Sequence, residues 1–286
     1  DQPLAEMRAA NNVGHLLAYD DHAGAMEACR TGMEQANRLG DVRFIGSFSW
    51  AVSAYLDRDA RPQEAQALRD EVRERVELPE SSRDWYEMTD LVARVEYGDQ
   101  DAVDAAFDAL ERSLDAGNPQ SEVSAPYTRA RLKLLTGEVE AAYDEAMSAE
   151  ELLLLPDHLS VATVAAALLG DTDRLQVVID ALDASQTRGR MVVAISDAAS
   201  ASIAALDGRT DEAVAGFSRA LSFGWLRLDR ATLQALFAVL VGRDVAEARQ
   251  ASDSAYELLS EIGATAYLDL YAAGMPTMTQ ERATGA

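Results

Sequence analysis

Cysteine is almost missing from this chain: Cys29 stands alone, so no intramolecular disulfide can form. Its place on an apolar helix face reads as a small core residue. Lysine is just as scarce. Lys133, the single one, sits in RLKLLTG and not in the Gly-Lys-Ser/Thr context after a strand that a phosphate-binding loop needs. The three histidines, His15, His22 and His158, stand neither in HExxH nor beside a cysteine at ligand spacing, which argues against a zinc site or a histidine-based triad. Proline is limited to seven residues against 48% apolar residues, so the chain is not compositionally disordered. An aromatic share of 6% suits helices packed through small residues. Apolar runs fall well short of the roughly 20 residues that span a bilayer. The opening DQPLAEMRAANN has neither the basic start nor the apolar centre of an export signal. A cytoplasmic location and no membrane partner are therefore expected. The absence of an initial Met, at what reads as the inside of a helix, marks the chain as a piece of something longer.

Acidic residues are abundant. Asp and Glu number 49 against 25 Lys and Arg, for a formal charge of -24. Such a surface repels phosphate backbones and anionic lipid, which sets nucleic acid aside as a direct partner. Two readings of the acids remain: solvated helix faces and first-turn residues that favour helix N-termini, or an acidic groove for a basic segment. Asp99 with Asp101 and Asp171 with Asp173 lack the Gly and Glu that complete a calcium loop, and they read as helix caps after a glycine break. No carboxylate pair is singled out for acid–base chemistry. No metal, cofactor or catalytic residue is expected, and the chain is read as a non-enzyme.

The clearest local pattern is Ala199–Leu221, a complete helical hairpin. Ala201, Ala204 and Ala205 keep one helix face small and Gly208 breaks the helix. Ala213, Phe217, Ala220 and Leu221 then supply an apolar stripe at helical spacing. One hairpin cannot bury both of its faces and needs copies on either side. Equivalent breaks fall at Asp20, Ala60, Gly98, Gly137, Gly170, Gly208 and Gly242, at intervals of 40, 38, 39, 33, 38 and 34 residues. Five residues past each of the first six breaks stands Ala25, Ala65, Val103, Ala142, Leu175 or Ala213, and nine past it Cys29, Arg69, Phe107, Ala146, Ile179 or Phe217, while the last copy drifts by about one residue. The expected fold is all-α, with hairpins over residues 4–39, 44–76, 85–116, 124–154, 159–184, 190–221 and 226–262. A closing helix at 264–273 and a frayed tail at 276–286 complete it, with Gly117, Asn118 and Pro119 as a central turn.

This pattern resembles the tetratricopeptide repeat, with a small residue on helix A, a Gly at the turn, then Ala and a larger apolar residue on helix B. The likeness covers nearly the whole chain, although no copy carries the family's full residue set and periods of 38–40 exceed its usual one. It implies a right-handed α-α superhelix of about seven hairpins. GMEQANRLGDVRF at Gly32–Phe44 and ELLSEIGATAYLDLY at Glu257–Tyr271 look similar to the helical arrays that end bacterial ATPase-containing transcription regulators and nucleotide-cyclase-like signalling proteins. By resemblance, the concave face is lined by residues ten to fifteen positions before each break. These are Ser47 and Trp50, Trp85 and Met88, Ser124 and Tyr127, and Asp157 with Ser160; Arg131, one helical turn past Tyr127 and six before its break, is taken with them. Trp, Tyr and Arg are the types enriched at binding hot spots; the alternative for each aromatic is packing between adjacent helices. The implied function is a protein-interaction and regulatory module whose groove takes a peptide, a partner domain or neighbouring domains of its own polypeptide. The alternative is a sensor for a sugar or metabolite held inside the superhelix.

Overall fold

The computed structural model describes residues 2–115, 119–149, 155–185 and 187–275. They form fifteen α-helices and, among the described residues, no strand. In chain order the helices are α1 Gln2–Leu17, α2 His22–Leu39, α3 Val42–Arg58, α4 Pro62–Arg75, α5 Glu80–Glu96, α6 Ala102–Asp115, α7 Pro119–Leu135 and α8 Val139–Met147. They continue with α9 Pro156–Leu169, α10 Thr172–Ala184, α11 Arg190–Leu206, α12 Thr210–Leu221, α13 Arg227–Val241, α14 Ala246–Glu261 and α15 Thr265–Leu270. A single 3-10 turn follows at Ala272–Gly274. No described helix is long and apolar enough to cross a membrane. The Gly117–Asn118 part of the expected turn, residues 150–154 at the end of the fourth hairpin and the 276–286 tail lie outside the described residues.

The helix stops are written in backbone conformation. Gly98, Gly137, Gly170, Gly208 and Gly242 all take positive φ at the turns where the repeat alignment places a break, a region open to glycine at little cost. Ala60 occupies the equivalent place in the second copy at φ 59, the one positive-φ residue other than glycine among those described. Helix starts use short acids. Asp21, Asp41 and Asp171 accept from backbone N–H groups of the first turns of α2, α3 and α10, and Asp171 thereby fills its expected capping role. The Asp99 carboxylate takes Arg94 Nε at 2.9 Å.

Prolines moved three boundaries. Pro79 stands directly ahead of α5, so Glu80, Ser81 and Ser82, expected as a connector, are helical. Pro119 and Pro156 open α7 and α9, which begin five and three residues before the expected Ser124 and Leu159. The first turn needs no N–H from its opening residue, which is why proline fits there. As a result Pro126 lies in the interior of α7.

Apart from α4 and α5, which meet through the Arg69 and Arg73 pairs with Asp90, each helix packs on the next, and the odd-numbered helices from α3 to α13 also pack on one another in succession, forming an inner row with the even ones outside. The interface residues are small and buried: Ala25, Ala65, Ala142, Ala213 and, nine past the break, Ala146 and Phe217. The third copy is offset by one residue. There Ala102, Ala106 and Leu110 are buried while Val103 and Phe107 are only partly so, because the turn after Gly98 runs to Asp101 before α6 starts. Cys29 is 5% exposed, and burial pushes its thiol up to about 11. Since the thiolate is the reactive form, Cys29 should resist a thiol-specific disulfide reagent at pH 8 in the native protein and react fully once unfolded. Fast labelling of the folded chain would contradict that burial.

The array then returns on itself. α13 packs against α3 and α9, and α15 against α5 and α7, so the chain's last helices lie against the inner row laid down by its first half. A side chain added at Gly98 would come 1.9 Å from Thr265 Oγ1, which shows how closely α15 approaches the α5–α6 turn.

Candidate functional site

The inner row brings charge into the interior. Glu96, at the end of α5, is 1% exposed. Its carboxylate receives Arg58 from α3 at 3.2 Å, Arg131 from α7, and the Tyr267 hydroxyl from α15. Arg58 also pairs with Asp229 of α13, and Arg131 Nη1 donates to the Tyr127 hydroxyl at 3.2 Å. Two guanidinium groups and two carboxylates balance, which meets the demand that buried charges be paired and hydrogen-bonded. Burial alone would raise the Glu96 carboxyl. Arg131 and Arg58, with the Tyr267 hydroxyl, outweigh it and hold the group below the usual carboxylate range. Tyr267 is pushed up to about 12, by burial first and then by Glu96. A second buried cluster lies between α3, α4 and α5: Arg69 Nη1 donates to Asp57 at 2.6 Å and its Nε lies 2.9 Å from Asp90, which also receives Arg73 at 3.0 Å. Burial raises the Asp57 carboxyl to about 6 in spite of Arg69.

The residues singled out from sequence separate into two groups. Trp85 and Met88 are 7% and 3% exposed. Trp50 packs on Trp85 with ring centroids 5.5 Å apart and donates its indole N–H to Thr89 Oγ1 at 2.8 Å. These three residues hold adjacent inner helices together, as in the packing alternative for the aromatics. Ser47 and Ser124 are half-buried on the same row. Tyr127, Arg131 and Asp157 are half-buried around the centre, where Tyr127 also meets the ring edge of His158 at 6.0 Å. Asp157 accepts from the Tyr19 hydroxyl at 3.2 Å.

Sequence reasoning passed over several groups in this centre. Tyr19 lies in the electrostatic field of Asp157, Tyr55 and Tyr127, and burial, then Asp157, pushes its phenol well up. Tyr55 shares the field of Asp157, and His22 those of Asp157 and Arg58. Direct contacts join these groups in pairs, Tyr19 with Asp157, the His22 ring with Tyr55 at 6.5 Å between centroids, and Arg131 with Tyr127, and all are half-buried. One signal was available: Arg58 and Glu96 both stand two residues before their breaks, at Ala60 and Gly98, an opposite-charge pair at equivalent repeat positions. Nothing comparable marks Tyr19 or Asp229.

Two shallow open depressions lie away from this centre. One, of about 520 Å³, sits beside Leu4, Met7 and the α2–α3 turn; the other, of about 420 Å³, lies between α10, α11 and α12. No cluster of His, Cys, Asp and Glu among the described residues has the makings of a metal site. Compared with known proteins, the chain matches no family model, and no curated protein or solved structure is significantly similar to it.

Proposed function

We propose that this chain is a non-catalytic recognition and regulatory module, built as a tetratricopeptide-like right-handed superhelix, that holds a segment of a partner protein, or of its own longer polypeptide, against its inner row. The observation that carries the reading is a group of half-buried side chains in direct contact, Tyr127 with Arg131 and Tyr19 with Asp157, with Tyr55 beside His22. Tyrosine and arginine on rigid helices offer large contact area and oriented donors at low entropic cost. By the resemblance to regulator arrays, the partner belongs to bacterial signal transduction or transcription control in the cytoplasm.

The test is selection of peptides from a random displayed library, followed by affinity measurements on Tyr127→Ala and on an outer-face control, Gln176→Ala. The selected peptides should bind Tyr127→Ala at least about tenfold more weakly, a loss of roughly 1.4 kcal/mol, with the melting temperature within a few degrees of the parent. Binding lost only in the outer-face control would overturn the inner-row assignment. Trp85 is unsuited to this test, since truncating so buried a ring costs about 3–5 kcal/mol of folding by itself.

A second reading, a sugar or metabolite effector, is favoured by one feature. The Tyr19 hydroxyl meets Asp157 and the Tyr55 ring lies beside His22, and such adjoining hydroxyl, imidazole and carboxylate groups suit a small polyhydroxylated molecule. A panel of sugars, nucleotides and amino acids should then contain a compound that raises the melting point of the parent but not of Asp157→Asn, because a specific ligand stabilises the state it binds. A panel with no such compound counts against it.

A further inference from the structure

The N-terminus of α11 is capped by a segment from the other end of the molecule. Gly189, ahead of α11, has no side chain to offer, and the first amides of a helix have no acceptor within the helix. Here the α1–α2 turn provides both partners. Arg190 N–H donates to Asp20 Oδ1 at 3.1 Å, and Met191 N–H donates to the Tyr19 carbonyl at 3.0 Å. The Asp20 carboxylate also sits at the positive end of α11. Beside it, His22 lies 3.1 Å by Nδ1 from the Gly224 carbonyl, which can only accept, so the ring nitrogen there carries the proton. The His22 ring meets the face of Phe223 edge-on at 5.3 Å, and Tyr19 reaches Asp157.

These ties are few: exposed hydrogen bonds at Asp20 and His22, one backbone bond to the Tyr19 carbonyl, and the half-buried rings of Tyr19 and His22. The helices α1 and α2 pack extensively on each other and α2 on α3, but neither packs along any helix of the far half. Stability within a fold is uneven, and regions held by exposed hydrogen bonds with little apolar burial open first. We propose that this seam is a gate: the α1–α2 turn releases the start of α11 and the Gly224 turn while the helices stay folded, and its opening uncovers Tyr55, Tyr127 and Asp157. The gate is read without any ligand, so it stands or falls apart from the binding proposal.

Gly189 supplies a wedge. A Cβ there would lie 2.8 Å from the Tyr19 carbonyl oxygen and 3.4 Å from Tyr19 Cβ. Its φ of 161 is extended backbone that any residue adopts, so Gly189→Val strains the seam and not its own turn. Arg190 and Met191 amides report on the seam alone, because α11 itself gives them no acceptor. Hydrogen–deuterium exchange of the full chain resolves them from interior amides such as that of Ala198. In the parent, the two seam amides should exchange well ahead of Ala198 and with little denaturant dependence. In Gly189→Val they should speed up by a further factor of about ten or more, with Ala198 unchanged. Asp20→Ala combined with His22→Ala removes two of the ties without adding bulk, leaving Met191 on the Tyr19 carbonyl, and should speed the Arg190 amide with Ala198 unchanged. The proposal is overturned if seam and interior amides exchange together in the parent, if the wedge accelerates all of α11 equally, or if it alters neither. Loss of helical circular dichroism in both variants would likewise overturn it, by placing the seam in the cooperative core.

Discussion

Glu96→Gln is expected to lower the unfolding free energy by about 3–5 kcal/mol, the cost of leaving buried charge uncompensated. Glutamine keeps the shape of the side chain but turns an amide towards Arg58 and Arg131, which have only hydrogens to offer. The Tyr267 hydroxyl loses its charged acceptor as well. The effect reaches beyond one contact, because Glu96 is where α3, α5, α7 and α15 meet. Denaturant melts of the two proteins measure it, and a change below about 1 kcal/mol, the scale of an ordinary exposed pair, would mean that Asp229 and Tyr127 satisfy the arginines unaided. The same substitution alters the pH dependence. The folded carboxyl titrates below its unfolded value, so its stabilisation is complete above the unfolded pKa near 4.5 and is lost as pH falls through the folded value. Glu96→Gln should therefore flatten the parent's acid loss of stability in that window.

Phe48→Ala should cost a similar amount, about 3–5 kcal/mol, as for other fully buried aromatic rings. Phe48 is 0% exposed, stacked on Phe44 with centroids 5.8 Å apart. It fits where it does because Gly32 of α2 lies opposite. A Cβ on Gly32 would come within 2.3 to 2.7 Å of three ring atoms of Phe48. Alanine in mid-helix ordinarily gains about 0.5–1 kcal/mol over glycine, but overpacking at about 1–3 kcal/mol wins here. Gly32→Ala alone should thus destabilise. In the Phe48→Ala background the ring is gone, the propensity term is left unopposed, and the same substitution should stabilise. That reversal of sign, read from a double-mutant cycle, is the decisive result; additive losses would show that Gly32 is placed for another reason.

Much of the secondary structure was legible because its causes are local. Pro62 opens α4, Gly208 ends α11, and Thr172–Ala184 is bounded at the residues where pattern and caps put it. Where the reading slips, a local rule stops one step short: the pattern assigns Pro119 to a turn and starts the fifth hairpin at Leu159, whereas Pro119 and Pro156 open α7 and α9. The third copy drifted because a turn lengthened after Gly98, and a fixed offset from a break cannot register that.

The candidate site was legible only in part. Counting back from the breaks found Tyr127 and Asp157, with Arg131 one turn past Tyr127 on the same helix face. It also collected Trp50, Trp85 and Met88, whose chemistry suits a binding face and a helix–helix contact equally well. Burial distinguishes the two, and burial depends on what lies opposite. Tyr19 and His22 were out of reach because a turn of the first hairpin carries no periodic signal.

The amino-acid sequence by itself determined that the chain is all-helical, where most helices start and stop, and which small residues lie between them. Those properties follow from backbone conformation and spacing within some forty residues. Only the tertiary structure decided that the last helices return onto the inner row, that Arg58 meets Asp229, and that Asp20 caps α11 from 170 residues away. These contacts join residues far apart in the chain, between helices whose local patterns carry no record of which distant helix they will meet.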